Sequence, residues 1–285
     1  MLVIVGATIV LSAVIGGYLM EHGNLYVLVQ PSELVIIGGA ALGAFLISSP
    51  PKITALVIKN IVGVLSSKSR SKGHYMELLS LLYRLFLKIR KDGLISIEAD
   101  IENPQKSPIF SKYRTVLSNA HALHFICDNF KVIVSANVPP HELESLADLE
   151  IDTSHHAAMI PSHSVAKIAD GLPGLGIVAA VLGIVLTMAK IDQPPAILGQ
   201  SVGAALVGTF LGVLLCYGFV GPMAVNLEHQ ANEENIFFQV IKVALVSFVG
   251  GAAPQMAVEF ARRAIPGKEK PTFEELEKTV RDSAK

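Results

Sequence analysis

The sequence predicts an all-α integral membrane protein, with four transmembrane helices, a large helical cytoplasmic loop domain between helices 2 and 3, and a helical cytoplasmic C-terminal tail. Three observations carry that expectation. Of 285 residues, 51% are hydrophobic and 16% charged, against about 25% charged in an ordinary soluble domain. Residues 1–20, 34–51, 171–189 and 193–227 contain no Asp, Glu, Lys or Arg, and a bilayer core of about 30 Å takes roughly 20 apolar helical residues. The positive charges are also segregated: residues 51–170 hold 14 of the 23 Lys and Arg, residues 222–285 hold 8, and the links at 21–33 and 191–199 hold none.

The first apolar run lacks the basic start and small-residue cleavage pattern of a secretory signal, and a second run follows closely, so a membrane helix is expected. Because positive residues flank membrane helices on the cytoplasmic side, both chain ends and the large loop are expected there. The division is then a hairpin at 1–51, a cytoplasmic domain at 52–170, a second hairpin at 171–222 and cytoplasmic helices at 223–285.

About 120 residues in the loop are enough for a folded helical domain. Residues 74–93 are its clearest helix: Glu77, Arg84, Lys88 and Lys91 share a polar stripe, Leu78, Leu82, Leu85 and Ile89 form a core face, and Gly93 is the C-cap. Arg90 falls outside the polar stripe, beside Tyr83, Phe86 and Leu79, and needs a partner or a route to water. Complementing the helix dipole in the last turn is one account of it. Ser96 can cap a short helix with Glu98 in its first turn, so both charges can be structural.

After the fourth apolar run come a polar stretch (226–235), an apolar one too short to span (240–251) and a charged one (271–285) with a Thr272 to Glu275 capping box. The middle stretch is expected to pack against the loop domain and the last to be solvated. Residues 264–271, rich in Pro, Gly and Lys, read as a linker.

Other motifs carry little. Gly174, Gly176 and Ala179 have dinucleotide-turn spacing, but Pro173 precedes them where a strand should run and the residues around them are a membrane helix. His155, His156 and His163 have no second cluster to complete a metal site, and residues 141–146 lack the second histidine of a zinc protease helix. Cys127 and Cys216 are predicted in different environments, so no disulfide is expected. Net charge −1 without a basic run points away from nucleic acid. No nucleophile elbow, Walker sequence or carboxylate pair is present, and no enzyme or cofactor is expected.

Stepping by three or four along the third apolar run gives a face of Pro173, Gly176, Ala180, Gly183 and Thr187, and along the fourth Ser201, Ala205, Thr209, Gly212 and Cys216. If the link centres on 195–198, residues summing to about 395 lie level, which matches Pro173 with Pro222 and Thr187 with Thr209. Such prolines free backbone carbonyls for a ligand or a bend, though Pro173 can also simply start a helix and Pro222 stop one. No intramembrane carboxylate or histidine is expected in the interior of the four helices, so a partner would supply any titrating group.

The segments GGYLM and QPSELVIIGGA, YMELLSLLYRL and DIENP, DGLPGLGIVAAVLGIV, and GTFLGVLLCYGFVGP together resemble the MotA family of flagellar motor stator proteins over nearly the whole chain. The resemblance implies a bacterial inner-membrane protein in membrane lipid, forming a ring of five around a MotB dimer that carries the membrane aspartate. It implies Arg90 and Glu98 as contacts to the rotor protein FliG, and Pro173 and Pro222 as the prolines coupling ion flow to movement. Gly176, Ala180, Gly183, Thr187, Ala205 and Thr209 would line the ion path. Sodium-driven relatives carry Thr where this chain has Ala180, and a methyl cannot ligate a hard cation, so the proton is the expected coupling ion. ExbB and TolQ energisers are the alternative, but they lack the hairpin at 1–51. A transporter would need polar groups in mid-membrane or inverted repeats.

Overall fold

A computed structural model describes residues 2–66, 70–136 and 138–284. Among them there are helices and turns and no strand. In chain order the helices are α1 (Leu2–Met20), α2 (Leu25–Leu28), α3 (Pro31–Ser48), α4 (Pro51–Ser66), α5 (Lys72–Asp92), α6 (Glu98–Glu102), α7 (Arg114–Ser118), α8 (Ala120–Ala136), α9 (Pro140–Met188), α10 (Pro195–Leu215), α11 (Gly221–Val249), α12 (Pro254–Ala264) and α13 (Phe273–Ala284). A 3₁₀ turn, Leu94–Ile97, precedes α6, and one π-helical turn, Cys216–Val220, joins α10 to α11. Four stretches are long and apolar enough to cross a membrane: Leu2–Met20, Leu25–Ser48, Pro140–Met188 and Pro195–Val249.

The last two run well beyond the apolar segments that announce them. The polar 226–235 stretch does not break the chain, because its Glu, Gln, Ala and Asn residues continue α11. Pro173 lies inside α9, as does Pro161, and Pro222 lies in the first turn of α11, directly after the π turn. Neither Pro173 as a helix start nor Pro222 as a helix stop survives.

Two compact units result, residues 1–67 with 158–229 and residues 68–157 with 230–285. In the first, Ile37 of α3, Ala169, Leu172 and Ala179 of α9, and Cys216 form one buried cluster. Phe45, Val57, Val64, Val165, Ala224 and Leu227 form another, and the buried Ser162 hydroxyl donates to Ala224 O at 2.8 Å. α4, read from the sequence with the loop segment, belongs to this unit by contact. No residue of α1 is buried, an apolar surface suited to hydrocarbon or to other helices.

The second unit is built around α5. Its C-cap is as expected: Gly93 has φ 86, and its N–H bonds Ile89 O at 2.9 Å. The expected single core face is too narrow, since Leu79, Leu81, Tyr83 and Phe86 are buried with Leu78, Leu82, Leu85 and Ile89. The cause is packing from other sides by α12 and α13. Phe86 stacks on Phe248 at 4.2 Å and 11°, so the apolar end of α11 joins this core. Lys242 of α11 pairs with Asp148 of α9 at 2.7 Å.

α13 is not simply solvated. Leu276 and Val280 are buried in the core, and Lys72 of α5 pairs with Glu275. The Thr272 capping box forms, with Thr272 N–H donating to Glu275 Oε2 at 2.7 Å and Glu275 N–H to Thr272 Oγ1 at 3.2 Å. Cys127 and Cys216 are both buried and free. Burial pushes the Cys127 thiol up to about 11, so it stays protonated and unreactive.

Candidate functional site

The small-residue faces of α9 and α10 meet each other. A Cβ on Gly176 would stand 2.8 Å from Gly208 O and 3.1 Å from Gly212 Cα, and one on Gly183 would stand 2.7 Å from Ala205 Cβ. One on Gly208 would lie 3.0 Å from Ala180 N, and one on Gly212 2.6 Å from Leu172 O. At these positions a side chain would push backbone from backbone. Without a hydrophobic drive between helices in lipid, such close packing is what holds a pair together.

The contacts revise the register. Gly176 faces Gly212, Ala180 faces Gly208 and Gly183 faces Ala205, so level residues sum to about 388 rather than 395. Residues 195–198, read as the middle of the link, instead form the first turn of α10, with Pro194 as its N-cap and Pro195 as its first residue. Pro173 therefore lies level with about residue 215. Pro222 is seven positions further along the chain, roughly 10 Å by helical rise, and the expected matched depth of the two prolines is overturned. Thr187 likewise comes level with about residue 201, not Thr209.

Of the six residues read as lining an ion path, Gly176, Ala180, Thr187 and Ala205 are buried and Gly183 and Thr209 half-buried. The Thr187 hydroxyl donates to Gly183 O at 2.9 Å, turned along its own helix. Pro173 is half-buried and Pro222 exposed. Each lacks the N–H that would bond four residues back, to the carbonyls of Ala169 and Gly218. Near Pro222 the chain adapts with the π turn, in which Gly221 N–H bonds Cys216 O.

One residue on this contact escaped the sequence reading. Glu33 lies in the first turn of α3, just before an apolar run, yet it is only 6% exposed, and its Oε2 is 2.6 Å from the Cβ position on Gly208. The expectation that no carboxylate enters the interior of the helices is overturned. The signal available was QPSELVII, in which Pro31 starts a helix and Glu33 therefore falls within it.

In the other unit, Arg90 and Glu98 are both exposed. Arg90 continues the buried row of Leu79, Tyr83 and Phe86 past the edge of the core and so reaches water. It has no ion-pair partner among the described residues. Lys88 instead pairs with the buried Asp100 at 2.7 Å, and Ser107 Oγ donates to the other Asp100 oxygen at 2.5 Å. This cross-brace ties α6 to the end of α5 and so fixes where Glu98 stands. Ser96 does not cap α6 as expected; its hydroxyl bonds Gly93 O at 2.6 Å, inside the 3₁₀ turn.

Membrane-length helices joined through glycine and alanine, with prolines within them, define an all-α integral membrane protein. Residues 116–239 match the MotA/TolQ/ExbB proton channel family, and residues 4–93 match the motility protein A N-terminal domain. The chain is 44% identical over 281 residues to motility protein A of Salmonella typhimurium, covering 99% of this chain and 95% of the relative. To motility protein A of Escherichia coli it is 43% identical, with the same coverage. The fold is that of the C. jejuni MotAB structure, at TM-score 0.78 and 17% identity, covering 95% of this chain and 98% of that one. The chain belongs to the motility protein A family, and its function is that of a membrane-embedded, proton-driven stator subunit of the flagellar motor.

Proposed function

We propose that this chain assembles as a five-membered ring around a MotB dimer in the bacterial inner membrane. Proton flow past a MotB aspartate turns the ring, and Arg90 and Glu98 push the rotor protein FliG. The observation that carries this reading is similarity to motility protein A along almost the entire chain, through both compact units. The match over 4–93 favours this branch over the ExbB and TolQ energisers. The segregation of Lys and Arg supports four spans with both termini cytoplasmic.

On this reading the ion passes beside the α9–α10 contact, where Thr209 and Gly183 are half-buried, while Gly176, Ala180, Thr187 and Ala205 shape the wall behind. Pro173 and Pro222 interrupt the hydrogen-bond ladders of α9 and α11 and so provide compliant points where ion binding can bend a helix. The alanine at 180 offers no oxygen to sodium, which supports the proton as coupling ion without any cofactor.

Copurification with MotB and imaging of single particles test the assembly: five copies around two are expected, and a chain that stays monomeric would overturn it. The rotor contact is tested by Arg90→Glu. Because Arg90 is exposed and makes no ion pair among the described residues, the variant should insert at the normal level yet lose most motility, and a charge reversal on FliG should restore it. Swimming at the wild-type rate would refute the contact.

A further inference from the structure

Glu33 is a buried titratable group that this mechanism leaves unused. Its Oε2 is buried and has no hydrogen-bond partner among the described residues. That oxygen stands 2.6 Å from the point where a Cβ on Gly208 would lie, and the same point is 3.0 Å from Ala180 N and 3.1 Å from Ala179 Cβ. α3, α9 and α10 thus converge on the carboxyl. Gly208 is thirteen residues past Pro195, the first residue of α10, or about 20 Å along it at 1.5 Å per residue. The carboxyl of a residue in the first turn of its own helix therefore sits well along another.

Among the described residues, no charged side chain is paired with the carboxyl. α9 turns Ala179 and Ala180 toward the carboxyl and α10 turns Gly208. The Cys216 thiol is buried in the cluster with Ile37, one turn along α3 from Glu33. Tyr26 of α2, the short helix packed on α10, is 88% exposed. An ionised carboxylate left without a donor in such a place is costly, whereas the neutral acid is tolerated. To lose its proton, Glu33 must first gain water or a donor, which requires the three-helix contact to loosen.

We propose that Glu33 is a proton-binding site of this chain, filled while α3 lies on the α9–α10 contact and emptied when that contact opens. The O–H bond of the acid breaks, the proton passes to a partner carboxylate or to water, and the carboxylate left behind stays hydrated until a proton from the other side returns it to the contact. Proton occupancy and helix packing are then two readings of one equilibrium. Gly208 is part of the site, because any side chain there would fill the space that the carboxyl occupies. The proposal rests on the reading of the chain as a proton-driven stator subunit.

Two measurements test it, and they fail separately. Infrared difference spectra of the purified chain in lipid, taken across a pH step without MotB, should show the carbonyl stretch of a protonated carboxyl that disappears in Glu33→Gln. A band that persists in Glu33→Gln, or no such band in the wild type, overturns the proposal whether or not the ring reading stands. In cells, tagged Glu33→Gln stators should reach the motor in wild-type numbers but deliver several-fold less torque. Glu33→Asp should retain torque with a shifted dependence on external pH, which a merely structural side chain would not produce. Wild-type torque in Glu33→Gln overturns proton exchange at this site, while failure to form a ring with MotB overturns the stator reading and leaves the infrared result intact.

Discussion

Replacing Gly212 by alanine probes the α9–α10 contact with a single methyl group. That methyl would stand 2.6 Å from Leu172 O, 2.9 Å from Gly176 Cα and 3.1 Å from Gly176 N. All three are backbone atoms, which cannot rotate aside as a side chain can. Since carbon atoms rest about 3.5–4.0 Å apart, the helices must separate by roughly 1 Å, and a gap of that size forfeits a quarter to a half of each dispersion well along the seam. Overpacking of this kind costs about 1–3 kcal/mol. Against it stands the better helix propensity of alanine, about 1 kcal/mol.

Gly203→Ala on the same helix provides the reference, because nothing lies within 4 Å of its added Cβ, and it keeps the propensity gain alone. The two variants should differ by the overpacking cost, which at about 2–4 °C per kcal/mol is roughly 2–12 °C in melting midpoint. Thermal unfolding of the purified chain in detergent, followed by circular dichroism, is the assay. If Gly212→Ala melts together with Gly203→Ala, or above the wild type, the account of the contact is wrong.

Asp100→Asn removes the charge that Lys88 and Ser107 hold at 2.7 and 2.5 Å. A loss of about 1.5–3 kcal/mol is expected for a hydrogen bond to a charged group, read as faster amide exchange across residues 94–112; unchanged exchange would count against the cross-brace. Hydrogen bonds from Arg262, with Arg263 adding to them, hold the buried Glu259 carboxyl below its ordinary range. Its folded value is thus lower than its unfolded one, so its stabilisation is complete above the unfolded value of about 4.3 and is lost as pH falls through the folded value. Wild type should therefore outlast Glu259→Gln at neutral pH, with the gap closing in acid; a gap that stays constant down to the acid end would refute the assignment.

Much of the architecture is legible along the chain because the lipid bilayer imposes a strong, one-dimensional rule. A run such as 171–189 must bury about 20 apolar residues as helix whatever else the protein does. Caps obey local rules too, so Gly93 and the Thr272 to Glu275 pair needed no tertiary information. The family resemblance was likewise readable, since its motifs are contiguous words. Helical angle alone put Arg90 off the polar stripe, in the row of Leu79, Tyr83 and Phe86, while its exposure depends on where the core ends.

What the sequence by itself determined, then, is the class of protein, its apolar helices and its family, all set by short-range patterns and solvent preference. Only the tertiary structure decided the register of α9 on α10, because the close approach of Gly176 to Gly212 depends on where a turn of a few residues really ends. It alone showed α13 half-buried, because an amphipathic helix finds its cover in distant segments, here α5. It alone carried Glu33 from the edge of a hydropathy run into the contact of three helices, since depth in a bundle is measured against neighbours and not along the residue's own chain.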